Sequence, residues 1–113
     1  MENLKKIKRK IDSAQECLIE IKNLDLLYPL SRSESCEKKE ALKNLLEDIR
    51  ENVDVLLEYS HCGALVEICK KLLERTLLIS ESLRASYAFA GYNQSYYILD
   101  TIKIVDGLRR NRN

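Results

Sequence analysis

The sequence predicts an all-α fold, an antiparallel up-down-up-down four-helix bundle, and three observations lead there. Apolar residues recur with the 3.6-residue period of a helix that buries one face, in four successive segments. Breakers are scarce, with one Pro (Pro29) and three Gly (Gly63, Gly91, Gly107) in 113 residues, where an all-β domain needs turn residues every ~8–12 positions. The connections are also short enough that each helix must run against its predecessor. A chain of 113 residues with 45% hydrophobic and 33% charged side chains is expected to fold as one domain, residues 1–113, around one core rather than stay disordered.

The first helix is expected over roughly residues 3 to 26. Leu4, Ile7, Ile11, Ala14, Leu18 and Ile21 alternate steps of three and four, with charged residues filling most intervening positions. Tyr28-Pro29 stops it, because the residue before proline is pushed out of the α region and proline has no amide hydrogen to donate. Ser31-Arg32-Ser33-Glu34 fits a capping box and starts the second helix. That helix carries Leu42, Leu45, Leu46, Ile49, Val53 and Leu56 inward.

Tyr59-Ser60-His61-Cys62-Gly63 reads as a tight turn closed by glycine in the left-handed conformation. One continuous long helix through Gly63 is the alternative. The third helix presents Leu65, Ile68, Cys69, Leu72, Ile79 and Leu83, and Val66, Leu73 and Leu77 widen this face to nearly half the circumference. That excess predicts a further neighbour or a second copy of the chain, with Val66, Leu73 and Leu77 as the self-association surface of a homodimer. The fourth and shortest helix follows Gly91, capped by Asn93, and presents Tyr97, Ile98, Ile102, Val105 and Leu108 before fraying at Arg109-Arg110-Asn111-Arg112-Asn113.

Charge and cysteine usage narrow the function classes. Nineteen basic and eighteen acidic residues leave a net charge of +1, so no global field draws the chain to nucleic acid or an anionic membrane. The basic N-terminus leads into no 7–15-residue apolar core of a secretion signal, and no apolar run approaches the ~20 residues of a membrane span. A cytoplasmic protein without membrane insertion is expected. Cys17, Cys36, Cys62 and Cys69 contain no Cys-x-x-Cys pair and read as reduced structural thiols.

Two poles then stand out as candidate sites. Residues 1–12 hold five basic and two acidic side chains and residues 103–113 four basic and one acidic, so Lys5, Lys6, Lys8, Arg9 and Lys10 would join Arg109, Arg110 and Arg112 at one basic end. Arginines at a helix C-terminus follow from the macrodipole, whereas lysines in the first turns of a helix oppose it. Five of the seven aromatic residues lie between positions 87 and 97: Tyr87, Phe89, Tyr92, Tyr96 and Tyr97. With Tyr28 in the first connection they are expected to form an aromatic partner-binding end, since tyrosine offers rigid area with a hydrogen-bonding tip. Tyr96 and Leu99 fall away from the face of Ile98, Ile102 and Val105, so part of this group should face solvent or a partner. The same aromatics would otherwise cap the core.

Catalytic chemistry finds little footing. His61 is the single histidine, and a zinc site of His61, Cys62 and Cys69 would not follow the spacing of the common closed sites. No metal or cofactor is expected. Cys62 beside His61 lacks a third group to orient the imidazole into activating a thiolate. Ser60-His61 resembles the phospho-accepting segment of histidine phosphotransfer domains, themselves four-helix bundles, and that resemblance implies phosphotransfer through His61. Cys62 and Gly63 depart from the pattern, which has a polar neighbour and a mid-helix histidine. Leu83-Arg84-Ala85-Ser86-Tyr87-Ala88-Phe89-Ala90-Gly91 resembles the middle of a tetratricopeptide unit over about a fifth of the chain, but Tyr96 replaces the small residue expected early in the second helix, and no second copy exists. The function expected is a non-enzymatic interaction module of adaptor, chaperone, immunity or antitoxin type, by analogy of size and architecture. A nucleic-acid-associated protein using the basic end is the second reading, and a phosphotransfer bundle the third.

Overall fold

In the computed structural model, which describes residues 2–27, 30–59, 63–86 and 94–111, every regular element is an α-helix. These are α1 (Glu2–Asp25), α2 (Arg32–Tyr59), α3 (Gly63–Ser86) and α4 (Gln94–Asn111). The lengths follow the apolar rhythm, and α4 is the shortest. No described helix is long and apolar enough to cross a membrane.

The periodic residues form the core. Leu4, Ile7, Ile11, Ala14, Leu18 and Ile21 of α1 are buried with Leu42, Leu46, Ile49, Val53, Leu56 and Leu57 of α2. From α3 come Leu65, Val66, Cys69, Leu72, Leu73, Ile79 and Leu83, and from α4 Ile98 and Val105. Leu45, Ile68, Leu77 and Ile102 pack against this cluster while partly exposed. The packing is consistent with a bundle in which α2 and α3 are central, each touching all three other helices, whereas α1 and α4 make no packing contact among the described residues.

That arrangement corrects the expectation for α3. Val66 and Leu73 are buried in the chain's own core and Leu77 packs on it, so the wide face is not left for a second copy. Its width reflects three helical neighbours instead of two. Among the described residues of α3, the large apolar side chain that is exposed is Leu78. Gly63 opens α3 and does not close α2, and α2 and α3 are separate helices.

Polar contacts pin the helices laterally. Lys10 pairs with Asp48 at 2.5 Å and Lys38 with Glu20 at 2.6 Å across α1 and α2, Arg75 with Asp12 at 3.1 Å across α3 and α1, and Lys70 with Asp106 at 2.8 Å across α3 and α4. Exposed pairs of this kind contribute roughly 0–1 kcal/mol each, so they select register more than they supply stability. The α3–α4 seam carries a buried polar pair near the start of α4. Ser80 and Ser95 are buried with their hydroxyls 2.9 Å apart, and Thr76 satisfies itself by donating to the Leu72 carbonyl at 2.7 Å.

Candidate functional site

The connection from α1 to α2 is the most distinctive surface of the described chain, and it is built on a hydrogen-bonded frame. The amide of Leu26 donates to the Lys22 carbonyl at 3.3 Å, that of Leu27 to Leu24 at 2.9 Å, and that of Leu30 to Leu27 at 3.1 Å. Ser31 occupies the N-cap position of α2. Its carbonyl accepts the first helical bond from the Ser35 amide at 2.9 Å, and its hydroxyl donates back to the Leu24 carbonyl at the end of α1. Asp25 completes the clasp by accepting from the Ser35 hydroxyl at 2.6 Å and pairing with Lys39 at 3.3 Å. Both serines are buried, so the turn is fixed by satisfied polar groups at helix ends that would otherwise leave carbonyls and amides unpaired.

This frame holds three leucines out of the core. Leu26, Leu27 and Leu30 are 83%, 62% and 96% exposed, and Ile19, two turns back on α1, is 51% exposed. Scattered single apolar residues are ordinary on a surface, but three exposed leucines within five positions concentrate apolar surface in the way that is often functional. Beside them lies an open cleft of about 350 Å³ lined by Glu20, Asn23, Leu24, Leu27, Glu34 and Lys38. The Glu20–Lys38 pair crosses this region at 2.6 Å, leaving Leu24 and Leu27 as its apolar wall. The sequence analysis, which ends the first helix near residue 26 and stops it at Tyr28-Pro29, does not single out these leucines. The available signal was Leu-Leu on one side of Tyr28-Pro29 and Leu30 on the other, where a turn should be polar.

The expected aromatic end is only partly described, since Tyr28, Tyr87, Phe89 and Tyr92 lie outside the described residues. Tyr96 and Tyr97 are both about half exposed. The guanidinium of Arg84 lies 5.6 Å from the Tyr96 ring centre and that of Arg50 lies 5.3 Å from the Tyr97 ring centre, both within cation–π range. Tyr97, expected to face inward, instead rests under Arg50 on the flank of α2. Arg50 is eighteen residues beyond Arg32, about 27 Å along α2 at 1.5 Å per residue. Tyr97 therefore meets α2 well along the helix from Ser31 and Arg32 at its start.

Around Arg50 the α2–α4 seam is a polar cluster. Arg50 pairs with Asp54 at 3.2 Å, and Thr101 lies within hydrogen-bonding reach of both Asp54 and the Tyr97 carbonyl, 3.1 Å away. Burial pushes the Asp54 carboxyl above its ordinary range, opposed by the Arg50 charge and by the Thr101 hydroxyl. The buried Nε of Arg50 has no partner among the described residues.

At the expected basic end, Lys5, Lys6, Lys8 and Arg9 are exposed on α1, and Lys10 is taken up by Asp48. A small cleft of about 160 Å³ between α1 and α2 is lined by Asn3, Lys6, Ile7, Lys10, Asn52, Val55 and Leu56. The side chains of Arg109 and Arg110, with Arg112, lie outside the described residues, and α4 makes no packing contact with α1 among those described. His61 and Cys62, which carried the phosphotransfer and zinc readings, also lie outside them. Cys17, Cys36 and Cys69 are free thiols. Burial raises the Cys69 thiol, and it raises Cys17 too, against the nearby Lys38 charge. Among the described residues, no three His, Cys, Asp or Glu side chains gather as a metal site.

No protein family, curated protein or solved structure matches the chain.

Proposed function

We propose that the chain is a non-enzymatic protein–protein interaction module that docks a partner through the α1–α2 connection. The observation that carries this reading is the set of exposed leucines, Leu26, Leu27 and Leu30, on a turn held by Ser31, Ser35 and Asp25. A pre-ordered apolar patch loses little conformational freedom on binding, so more of its burial appears as affinity. The partner that fits is a protein surface with an apolar anchor.

The up-down-up-down antiparallel arrangement belongs to the same proposal. Its support is the pairing of positions along the helices: Lys10 with Asp48 but Glu20 with Lys38, and Lys70 with Asp106 but Ser80 with Ser95, so one number rises as the other falls. Between α2 and α4 the numbers rise together, from Arg50–Tyr97 to Asp54–Thr101. A cytoplasmic setting is part of the reading, supported by the free thiols of Cys17, Cys36 and Cys69.

Site-specific photo-crosslinking tests the function. A photoreactive amino acid at position 30, in the full chain in its native host, is expected to capture one protein reproducibly, and the adduct is expected to vanish when Leu26 and Leu27 are replaced by Ser. Capture undiminished by those replacements, or capture only from a control position such as Leu78, overturns the reading. The nucleic-acid reading is favoured by four exposed cations in the first turns of α1 (Lys5, Lys6, Lys8 and Arg9). Binding through them would fall steeply with salt as counterions are released.

A further inference from the structure

Resting on the nucleic-acid reading above and independent of the exposed leucines, we propose that α1 and α3 share a basic face that holds the phosphate backbone of a nucleic-acid duplex. Lys5, Lys8 and Arg9 of α1 and Lys71 of α3 are exposed, and none of the four makes an ion pair among the described residues. Most other described cations are taken up by carboxylates, as Lys10 is by Asp48, Lys38 by Glu20, Lys39 by Asp25 and Arg50 by Asp54. One contact joins the two halves of the face. Arg75 pairs with Asp12 at 3.1 Å across α3 and α1. Lys8 stands four residues before Asp12, and Lys71 four before Arg75, a step that keeps each lysine on its helix's facing side. Because α1 and α3 run the same way in the arrangement proposed above, both steps lead in one direction and set Lys71 level with Lys8. Lys5 and Arg9 extend the α1 side over one turn, about 6 Å.

The carboxylates that border this face are already engaged. Asp12 is held by Arg75, Glu74 lies 3.9 Å from Lys70, and Glu67 is bonded as well. The face is therefore locally positive although the whole chain carries only +1. Its chemistry selects phosphate over other anionic partners. Protein–protein interfaces are depleted of lysine and anchored by aromatic side chains, and the described parts of α1 and α3 contain no aromatic residue. A bilayer surface is bound by a helix that inserts an apolar face, whereas α1 exposes no large apolar side chain ahead of Ile19. Unpaired strands are held by stacking their bases on aromatic rings, which this face lacks. A duplex asks only for cations, since it presents one charge per ~1.7 Å of its axis, and such contacts carry no sequence preference.

The test is fluorescence anisotropy of a labelled DNA duplex of arbitrary sequence, titrated with the full reduced chain at about 50 to 200 mM salt. Wild type is compared with a Lys5→Gln, Lys8→Gln, Arg9→Gln variant, with Lys71→Gln, and with the control Lys22→Gln. Four phosphate contacts predict that the logarithm of affinity falls with that of salt at a slope of about −3.6, a loss of roughly 150-fold over this range. The triple variant should bind more weakly, with a slope near about −1, and Lys71→Gln should flatten the slope by about 1. Lys22→Gln, the same charge change near the other end of α1, should keep the wild-type slope. All four replaced residues are exposed, so circular dichroism should show unchanged helicity. A wild type that leaves the duplex unbound at low salt overturns the basic face and the nucleic-acid reading together. Lys71→Gln behaving as Lys22→Gln, while the triple variant loses affinity, overturns the shared face and leaves that reading standing on α1 alone. A triple variant with the wild-type slope overturns the face outright. Equal affinity for anionic vesicles, for poly-glutamate or for a single-stranded oligonucleotide overturns the assignment to a duplex.

Discussion

Replacing Leu73 by Ala separates two accounts of α3, one in which its wide apolar face is core and one in which it serves a partner chain. Leu73 is fully buried and Leu78, five residues along the same helix, is 71% exposed. Truncation removes three carbon groups, worth about 2 kcal/mol of transfer free energy at roughly 0.8 kcal/mol each. The cavity left behind raises the total to about 3–4 kcal/mol, within the range measured for buried leucines. Against a typical stability of about 5–15 kcal/mol, Leu73→Ala should lower the melting temperature by about 10–20 °C. Leu78→Ala should change stability by no more than about 0.5 kcal/mol. Thermal unfolding followed by circular dichroism, with light scattering on the same samples, is the assay. If Leu73→Ala melts with wild type and instead lowers the mass in solution, the residue lies on a surface and the packing described for α3 is wrong.

Other outcomes follow from the polar contacts. Asp25→Ala should cost about 1–3 kcal/mol in urea unfolding, because it strips the acceptor from the buried Ser35 hydroxyl. Glu20→Ala, which breaks only an exposed pair with Lys38, should cost under about 1 kcal/mol. Asp54 holds its proton more tightly when folded than when unfolded, so its linkage makes stability fall as pH rises through and above its ordinary value of 3.8. Urea unfolding of wild type and Asp54→Asn across that range should show wild type losing stability relative to the variant with rising pH. The opposite slope would refute the burial of Asp54. In native-state alkylation mapped by mass spectrometry, the exposed Cys36 should be modified before Cys17 and well before the buried Cys69. Equal rates would mean that the core opens locally.

Much of the fold was legible because each helix buries one face, and the period of that face is written in the spacing of Leu4 to Ile21 and of Leu42 to Leu56. All of those residues except Leu45 are buried. The width of a face is harder to interpret. Val66, Leu73 and Leu77 looked surplus when α3 was credited with two neighbours, and are absorbed once it touches all three other helices. Lateral placement was not legible either. The tyrosines of α4 were assigned to the end near Tyr28 by connectivity alone, but Tyr97 meets α2 at Arg50, because axial stagger depends on side-chain packing that periodicity does not encode. The exposed leucines of the first connection escaped notice for a related reason. Leu26 and Leu27 follow the apolar run of α1 directly, and only the bonds of Ser31, Ser35 and Asp25 show that the chain has already turned away from the core.

The most direct test is the affinity for the protein captured from position 30, measured by titration at low and high salt. It compares wild type with a Leu26→Ser, Leu27→Ser, Leu30→Ser variant and a Lys5→Gln, Lys6→Gln, Lys8→Gln variant. Docking through the α1–α2 connection predicts a loss of tenfold or more, about 1.4 kcal/mol, for the leucine variant at both salt concentrations. The lysine variant should bind as wild type does. Undiminished binding by the leucine variant, together with loss of binding in the lysine variant that is largest at low salt, would contradict the account.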